Sequence, residues 1–188
     1  MKTPSRKNIT LCGIKHAGKT SAAKALSALT GMPFADSDDT LKELYGKETG
    51  TDLTVREIFQ TLGESGFRQL EVRALRELFS GNSGVIIALG GGVLSNPFLT
   101  DNDRKNFGFL CCLDVQDEVA YQRIIQNGLP PFLKDKPDPF QALCEMNLNR
   151  REMFRKYADF IVDAGEAKDA TPEKTAEKIL AAYRENVL

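Results

Sequence analysis

Eight consecutive residues near the N-terminus have the composition of a loop that binds phosphate groups. They fit the pattern G-x-x-x-x-G-K-[ST], and they are Gly13, Ile14, Lys15, His16, Ala17, Gly18, Lys19 and Thr20. Glycines in such a loop allow successive backbone N–H groups to point at phosphate oxygens. The ammonium group of Lys19 would neutralise the outer phosphates, and the Thr20 hydroxyl is a hard oxygen ligand that suits Mg²⁺. The pattern therefore predicts a site for a nucleoside triphosphate with magnesium, and it leaves the phosphate acceptor open.

Two acidic residues follow the second apolar run of the chain. Asp36 and Asp38 stand where a strand predicted at 33–36 ends, and ligands of open α/β sheets bind outside the carboxyl ends of the strands. One carboxylate there can hold Mg²⁺ through water, and the other can accept the proton of a substrate hydroxyl. Capping of the helix that follows explains either residue equally well when each is considered alone.

Three glycines and two arginines suggest a binding site for an acceptor that carries a carboxylate. Gly90, Gly91 and Gly92 follow a strand predicted at 84–89, and a backbone without Cβ atoms allows a ligand ring to approach closely. Arg68 and Arg150 lie on predicted helices, and a planar guanidinium binds a carboxylate through two parallel hydrogen bonds. A single helical arginine is usually a solvated surface charge, so the prediction depends on the whole set.

Short apolar runs alternate with helical patterns along the chain. The runs predict strands at 8–12, 33–36, 84–89, 107–113 and 160–162. The patterns predict helices at 19–29, 40–45, 54–61, 64–79, 116–126, 140–157 and 171–183. Thr54 and Glu57 form a predicted capping box, Gly81 is predicted to end the fourth helix, and a loop is expected at 127–139. Strands separated by helices indicate a three-layer α/β/α fold around a five-stranded parallel sheet.

Length and composition restrict the class of protein. A chain of 188 residues with 41% hydrophobic residues fits one globular domain, 1–188, with only the first seven residues as a free tail. A net charge of −1 argues against a dedicated nucleic-acid-binding protein. We find no apolar run long enough for a membrane span and no signal peptide, and we therefore expect a cytoplasmic protein without a membrane partner. Cys111 and Cys112 are expected to be reduced residues of a buried strand.

In their order along the chain, these residues resemble the shikimate kinase family. The similarity runs from about residue 8 to about residue 162 and includes the phosphate loop, the pair Asp36 and Asp38, the segment Phe67-Arg68 with Glu71, the three glycines and Arg150. The resemblance implies a P-loop fold with strand order 2-3-1-4-5. It also implies ATP-dependent phosphorylation of shikimate to shikimate 3-phosphate, in aromatic amino acid biosynthesis, with Mg²⁺ as the metal. We expect a monomer that acts on this small molecule.

The resemblance also implies a role for each matching residue. Lys19 and Asp38 would be catalytic, Thr20 and Asp36 would hold Mg²⁺, and Arg123 would pack near the adenine of ATP. The resemblance also implies a substrate-binding region at about 37–71 and a mobile lid at about 127–139. Shikimate would be bound by Asp38, Phe59, Phe67, Arg68, Gly90, Gly91, Gly92 and Arg150.

Two positions differ from the family pattern. Pro130 stands where the family's lid has an arginine that covers the transferred phosphate, and His16 stands where the phosphate loop usually has glycine. A cation near the transferred phosphate can change the rate by orders of magnitude. Two alternatives stay open: a related small-molecule kinase such as a gluconate kinase, and, because of Pro130, a degenerate paralogue that binds ATP or a metabolite and transfers phosphate weakly.

Overall fold

A parallel sheet of five strands forms the centre of the molecule. The computed structural model describes residues 7–80, 83–126, 128–165 and 171–187. The strands are β1 Ile9–Gly13, β2 Phe34–Asp36, β3 Ile86–Ala88, β4 Phe109–Asp114 and β5 Phe160–Asp163. They pair in parallel in the order β2-β3-β1-β4-β5, which confirms the predicted topology.

Eight helices in the described residues connect and cover these strands. They are α1 Lys19–Thr30, α2 Ser37–Thr49, α3 Val55–Phe79, α4 Asp101–Arg104, α5 Asp117–Gln126, α6 Pro131–Lys134, α7 Pro139–Tyr157 and α8 Pro172–Val187. Two 3₁₀ turns, Val93–Ser95 and Lys105–Phe107, precede β4. Three predicted features lie outside the described residues: the helix end at Gly81, residues 1–6 of the tail, and Asn127 at the start of the lid.

The central strands are buried because helices cover both faces of the sheet. Ile9, Leu11, Ile86 and Ile87 are inaccessible to solvent and lie in one large apolar core. Cys111 and Cys112 belong to the same core and are free thiols, as predicted. The phosphate loop, Asp36 and the glycine triplet lie at the carboxyl ends of β1, β2 and β3 and are anchored by this buried layer.

Helix α3 is divided at Gly63, whose φ of 67° and ψ of 179° are not helical. This kink explains why the sequence predicts two helices at 54–61 and 64–79. The capping box of Thr54 and Glu57 is confirmed: the Glu57 N–H donates to the Thr54 hydroxyl, and the Thr54 N–H donates to the Glu57 carboxylate. The direction of α3 therefore changes at Gly63, and its first half packs on α2 through the buried Ile58.

The prediction of one uninterrupted loop at 127–139 is wrong. The segment contains the short helix α6, and α7 already begins at Pro139. The physical reason is Leu133, which is buried in a small cluster with Ile124 and Leu143. Local sequence does not show this burial, because Ile124 and Leu143 belong to α5 and α7. Within the described residues, no helix is both long and apolar enough to span a membrane.

Candidate active site

The phosphate loop connects β1 to α1 and has the backbone shape of an anion cradle. Gly13 has a φ of 144°, and a Cβ atom there would collide with the carbonyl oxygen of Leu113 on β4. His16 has a φ of 64°, the one positive φ of a non-glycine residue in the described part of the chain. Gly18, with a φ of 88°, is the N-cap of α1, so that helix directs its positive end at the loop.

The Lys19 side chain folds back onto the phosphate loop. Its Nζ atom donates to the carbonyl oxygens of Gly13 at 3.1 Å and Ile14 at 2.9 Å. Burial lowers the pKa of this ammonium to about 8, against the opposing attraction of Asp38, Cys12 and Asp36. The group therefore stays mostly charged at neutral pH, at the position where an anion would enter.

Asp36 links the end of β2 to the phosphate loop. Its Oδ1 atom accepts from the Asp38 N–H at 3.0 Å, which caps α2, and its Oδ2 atom accepts from the Thr20 hydroxyl at 2.8 Å. Helix capping and magnesium binding, the two roles considered for Asp36, are thus compatible, because each role uses a different carboxylate oxygen. Among the described residues, no group of three or more His, Cys, Asp or Glu forms a metal cage. Mg²⁺ bound with ATP needs only one or two protein ligands, and Thr20 with Asp36 provides two adjacent oxygens.

Asp38 is the second residue of α2 and faces the glycine triplet. A Cβ atom on Gly90 would be 2.7 Å from Oδ1 of Asp38, and the Gly90 N–H donates to the Ser37 hydroxyl at 2.8 Å. Burial raises the pKa of Asp38 to about 6, and the negative charges of Asp36 and Glu71 add to this effect. A carboxylate with this pKa is a good candidate for a general base near neutral pH.

Arg68 packs on the other end of the triplet. A Cβ atom on Gly92 would lie 2.7 Å from one terminal nitrogen of Arg68, and the same nitrogen donates to Oε2 of Glu71 at 2.9 Å. Burial lowers the pKa of Arg150, and the positive charge of Arg68 contributes while Glu71 opposes. Arg150 therefore lies within electrostatic range of both Arg68 and Glu71.

Two phenylalanines predicted for the acceptor pocket are neighbours. The rings of Phe59 and Phe67 meet edge to face with centroids 5.3 Å apart. Phe67 is 6% exposed and lies beside the Arg68 guanidinium. Phe59 is 40% exposed on the first half of α3. It exposes an apolar face next to Phe67.

The other side of the phosphate loop contacts α5. Arg123 donates from a terminal nitrogen to the His16 carbonyl oxygen at 2.9 Å. Burial lowers the pKa of His16, and Lys15, Lys19 and Arg123 act in the same direction. Lys15 is exposed, and its backbone nitrogen would be 3.4 Å from a Cβ atom on Gly91. The middle glycine of the triplet thus abuts the phosphate loop.

The described residues bring the predicted site together at the carboxyl end of the sheet. Asp38 abuts Gly90, the phosphate loop abuts Gly91 and Arg68 abuts Gly92. We call this row of contacts the acceptor line. For Pro130, which is the N-cap of α6, no contact with this line is observed among the described residues.

Two supporting residues were not predicted from the sequence. Asn96 contacts both Arg68 and Glu71. Arg151, beside Arg150 on α7, binds Asp114 and Asp117. Arg151 could have been singled out in the sequence because it adjoins Arg150. No feature of the residues around Asn96 indicated its role.

Comparison with known proteins gives a consistent result. The sequence profile of the shikimate kinase family matches residues 15–184. A shikimate kinase of Thermodesulfovibrio yellowstonii is 33% identical over 180 residues, with 94% of this chain and 95% of that protein covered. One from Caldanaerobacter subterraneus is 34% identical over 177 residues, covering 94% and 96%. The solved structure of shikimate kinase from Acinetobacter baumannii in complex with shikimate has a TM-score of 0.79 and 29% identity, covering 97% and 96%.

Proposed function

The chain belongs to the shikimate kinase family, and from this premise we propose that it transfers the terminal phosphoryl group of ATP to a hydroxyl of shikimate. The product would be shikimate 3-phosphate. The observation that carries the proposal is the line along the glycine triplet, with Asp38 at Gly90, the phosphate loop at Gly91 and Arg68 at Gly92. This order would put a candidate base, the phosphate loop and a guanidinium suited to a carboxylate next to one another.

The phosphate loop fits the triphosphate of ATP. Its backbone bends at Gly13 and Gly18, and α1 starts directly behind it, so N–H groups and the helix dipole favour an anion. Lys19 holds a positive charge against the loop carbonyls. Thr20 and Asp36 would hold Mg²⁺, which neutralises charge that develops on the phosphate oxygens when it is bound.

Asp38 and the arginines would act on the acceptor. Asp38 would accept the proton of the reacting hydroxyl, because its pKa of about 6 leaves it mostly ionised at neutral pH. Arg68 and Arg150 would bind the carboxylate of shikimate and hold the ring over Gly91, with Phe59 and Phe67 as its apolar wall. Action in the cytoplasm and as a monomer stays a prediction from the sequence.

A coupled ATPase assay with and without shikimate tests the proposal. We expect shikimate-dependent ADP formation, with a phosphate ester detected on shikimate by ³¹P NMR. Lys19→Ala should abolish transfer and leave the circular dichroism spectrum unchanged, because it removes the buried charge of the phosphate loop. Lys24→Ala, an exposed lysine on the same helix, is the matched control and should retain activity.

The same assay separates the alternatives. ADP formation with gluconate but not with shikimate would support the related small-molecule kinase. Binding of both ligands without transfer would support the degenerate paralogue that Pro130 suggests. Turnover by Lys19→Ala at the wild-type rate would show that the phosphate-loop assignment is wrong.

A further inference from the structure

Asn96 is a buried polar residue that the proposed chemistry does not yet use. It follows the 3₁₀ turn Val93–Ser95, four residues after Gly92, and its side chain is almost completely enclosed, with 3% of the residue exposed. A buried amide is costly unless its hydrogen-bonding groups have partners. The Asn96 side chain has two partners on α3, Arg68 and Glu71, and one partner two residues further along the chain, the Phe98 N–H.

The amide nitrogen of Asn96 donates twice. One bond goes to the backbone carbonyl oxygen of Arg68 at 2.8 Å, and the other goes to Oε2 of Glu71 at 2.8 Å. The same Glu71 oxygen accepts from the Arg68 guanidinium at 2.9 Å. The amide oxygen of Asn96 accepts from the Phe98 N–H at 2.9 Å, which fixes the orientation of the amide. Asn96 thus holds Arg68 at its backbone and, through Glu71, at its guanidinium.

The arrangement restricts the direction of the Arg68 side chain. Gly92 has no Cβ, and the guanidinium occupies the space that a Cβ would need. Glu71, which is 5% exposed, binds one terminal nitrogen of Arg68. A guanidinium has five N–H donors in a fixed fork, so the remaining donors stay available to a planar anion.

The charges near Glu71 are of both signs. Arg68 and Arg150 carry two positive charges within electrostatic range of Glu71, and the second carboxylate near Glu71, Asp38, lies at Gly90 on the other end of the triplet. Asn96 satisfies Glu71 with a neutral donor, which adds no charge to this set. A third cation in its place would compete with Arg68 for Glu71.

We propose that Asn96 is a positioning residue for recognition of the acceptor's carboxylate: by holding Glu71 and the Arg68 backbone, it orients the Arg68 guanidinium toward the ligand. The inference rests on the proposed function, because it assigns the carboxylate of shikimate to the arginine pair. It adds a residue that contacts no substrate and yet sets affinity for one chemical group of the substrate.

Two substitutions separate this role from a general loss of packing. Asn96→Ala removes both donors. Asn96→Asp keeps the side-chain shape and an oxygen for the Phe98 N–H, and it places a second carboxylate beside Glu71, where like charges repel. Both variants should raise the KM for shikimate by about tenfold or more, the scale expected for a misplaced charged hydrogen bond. The KM for ATP and the kcat at saturating shikimate should change by less than about twofold, since neither depends on the carboxylate contact.

The decisive measurement uses the methyl ester of shikimate, which lacks the negative charge. We expect kcat/KM for the ester to be low in the wild type and nearly equal in Asn96→Ala, because the affected contact is already absent. Asn8→Ala removes another buried asparagine, which bridges Val85 and Asn106; as a stability control it should affect neither substrate selectively.

The outcomes distinguish the two proposals. A wild-type protein that neither binds nor phosphorylates shikimate would refute the proposed function itself. The positioning role would be refuted if the wild type is active and the Asn96 variants lose kcat/KM for shikimate and for its ester equally, or lose neither. A selective loss of kcat/KM for shikimate in both variants would support the role.

Discussion

Asp38 illustrates how one side chain can be unfavourable for folding and useful for chemistry. Burial and the negative charges of Asp36 and Glu71 raise its pKa to about 6, above the ordinary value of 3.8. The folded protein therefore holds the Asp38 proton more tightly than the unfolded chain does. As pH rises from about 4 through about 6, this difference lowers the free energy of unfolding, and the loss is complete above that window.

We expect Asp38→Asn to stabilise the protein and to inactivate it. At pH 8, without nucleotide or magnesium, the free energy of unfolding in urea should rise by on the order of 1–3 kcal/mol, because each pKa unit corresponds to about 1.4 kcal/mol. At pH 4 the variant and the wild type should be nearly equal. Asp39→Asn is the control, since Asp39 is exposed and pairs with Lys42. A variant that is less stable than the wild type at pH 8 would contradict the electrostatic explanation.

The lid segment is more structured than its sequence indicates, and its basic residues are exposed although its anchor is buried. Leu133 is buried between α5 and α7, whereas Lys134 and Lys136 are exposed. Lys15 on the phosphate loop is also exposed, and its side chain makes no hydrogen bond or ion pair within the described part of the chain. Since Pro130 offers no charge, these lysines are the candidates for a second cation near the transferred phosphate. Mobility of the lid stays a prediction.

We expect Lys15→Met to lower kcat by roughly tenfold, equivalent to about 1.4 kcal/mol, with the KM for ATP preserved. The reason is the position of Lys15: it belongs to the phosphate loop, and its backbone abuts Gly91 in the acceptor line. Steady-state kinetics at saturating ATP and shikimate provide the measurement. Lys134→Met tests the candidate in the lid, and Lys24→Met, at an exposed lysine of α1, is the matched control. If neither Lys15→Met nor Lys134→Met lowers kcat while Pro130→Arg raises it, neither lysine replaces the missing cation of the lid.

The three-dimensional position of α7 depends on a clamp between distant parts of the chain. Arg151 donates to Asp114 at 3.0 Å, to Asp117 at 2.7 Å and to the Val115 carbonyl oxygen at 2.6 Å. Asn147, one turn earlier, also donates to Asp117. These bonds join α7 to the end of β4 and the start of α5. They thereby set where the neighbouring Arg150 stands relative to Arg68.

We expect Arg151→Ala to lower the free energy of unfolding by about 2–3 kcal/mol, because Asp114 and Asp117 lose a shared, mostly buried partner. Urea denaturation followed by circular dichroism measures this loss. Arg155→Ala removes an exposed arginine on the same helix and should change stability by less than about 0.5 kcal/mol. Equal effects of the two substitutions would show that the clamp contributes no more than an ordinary surface charge.

Features that depend on neighbouring residues were predictable from the sequence. The phosphate loop, the five strands, the capping box of Thr54 and the glycine triplet were all identified at or near their observed positions. Hydrophobic periodicity and hydrogen bonds within one segment determine such features. Ends of elements differ by a few residues, as for α2, which extends over Ser37–Thr49 instead of 40–45.

The relation between distant segments required the folded structure. Asn96 reaches Arg68 and Glu71, Arg123 reaches the His16 carbonyl, and Leu133 is buried by two other helices. Each contact joins residues that lie apart in the chain. Whether they meet depends on strand order, on the register of the sheet and on the angle at which helices pack on it. A side chain's own neighbours in the sequence contain no information on these distances, so the orientation of the arginine pair follows from tertiary packing.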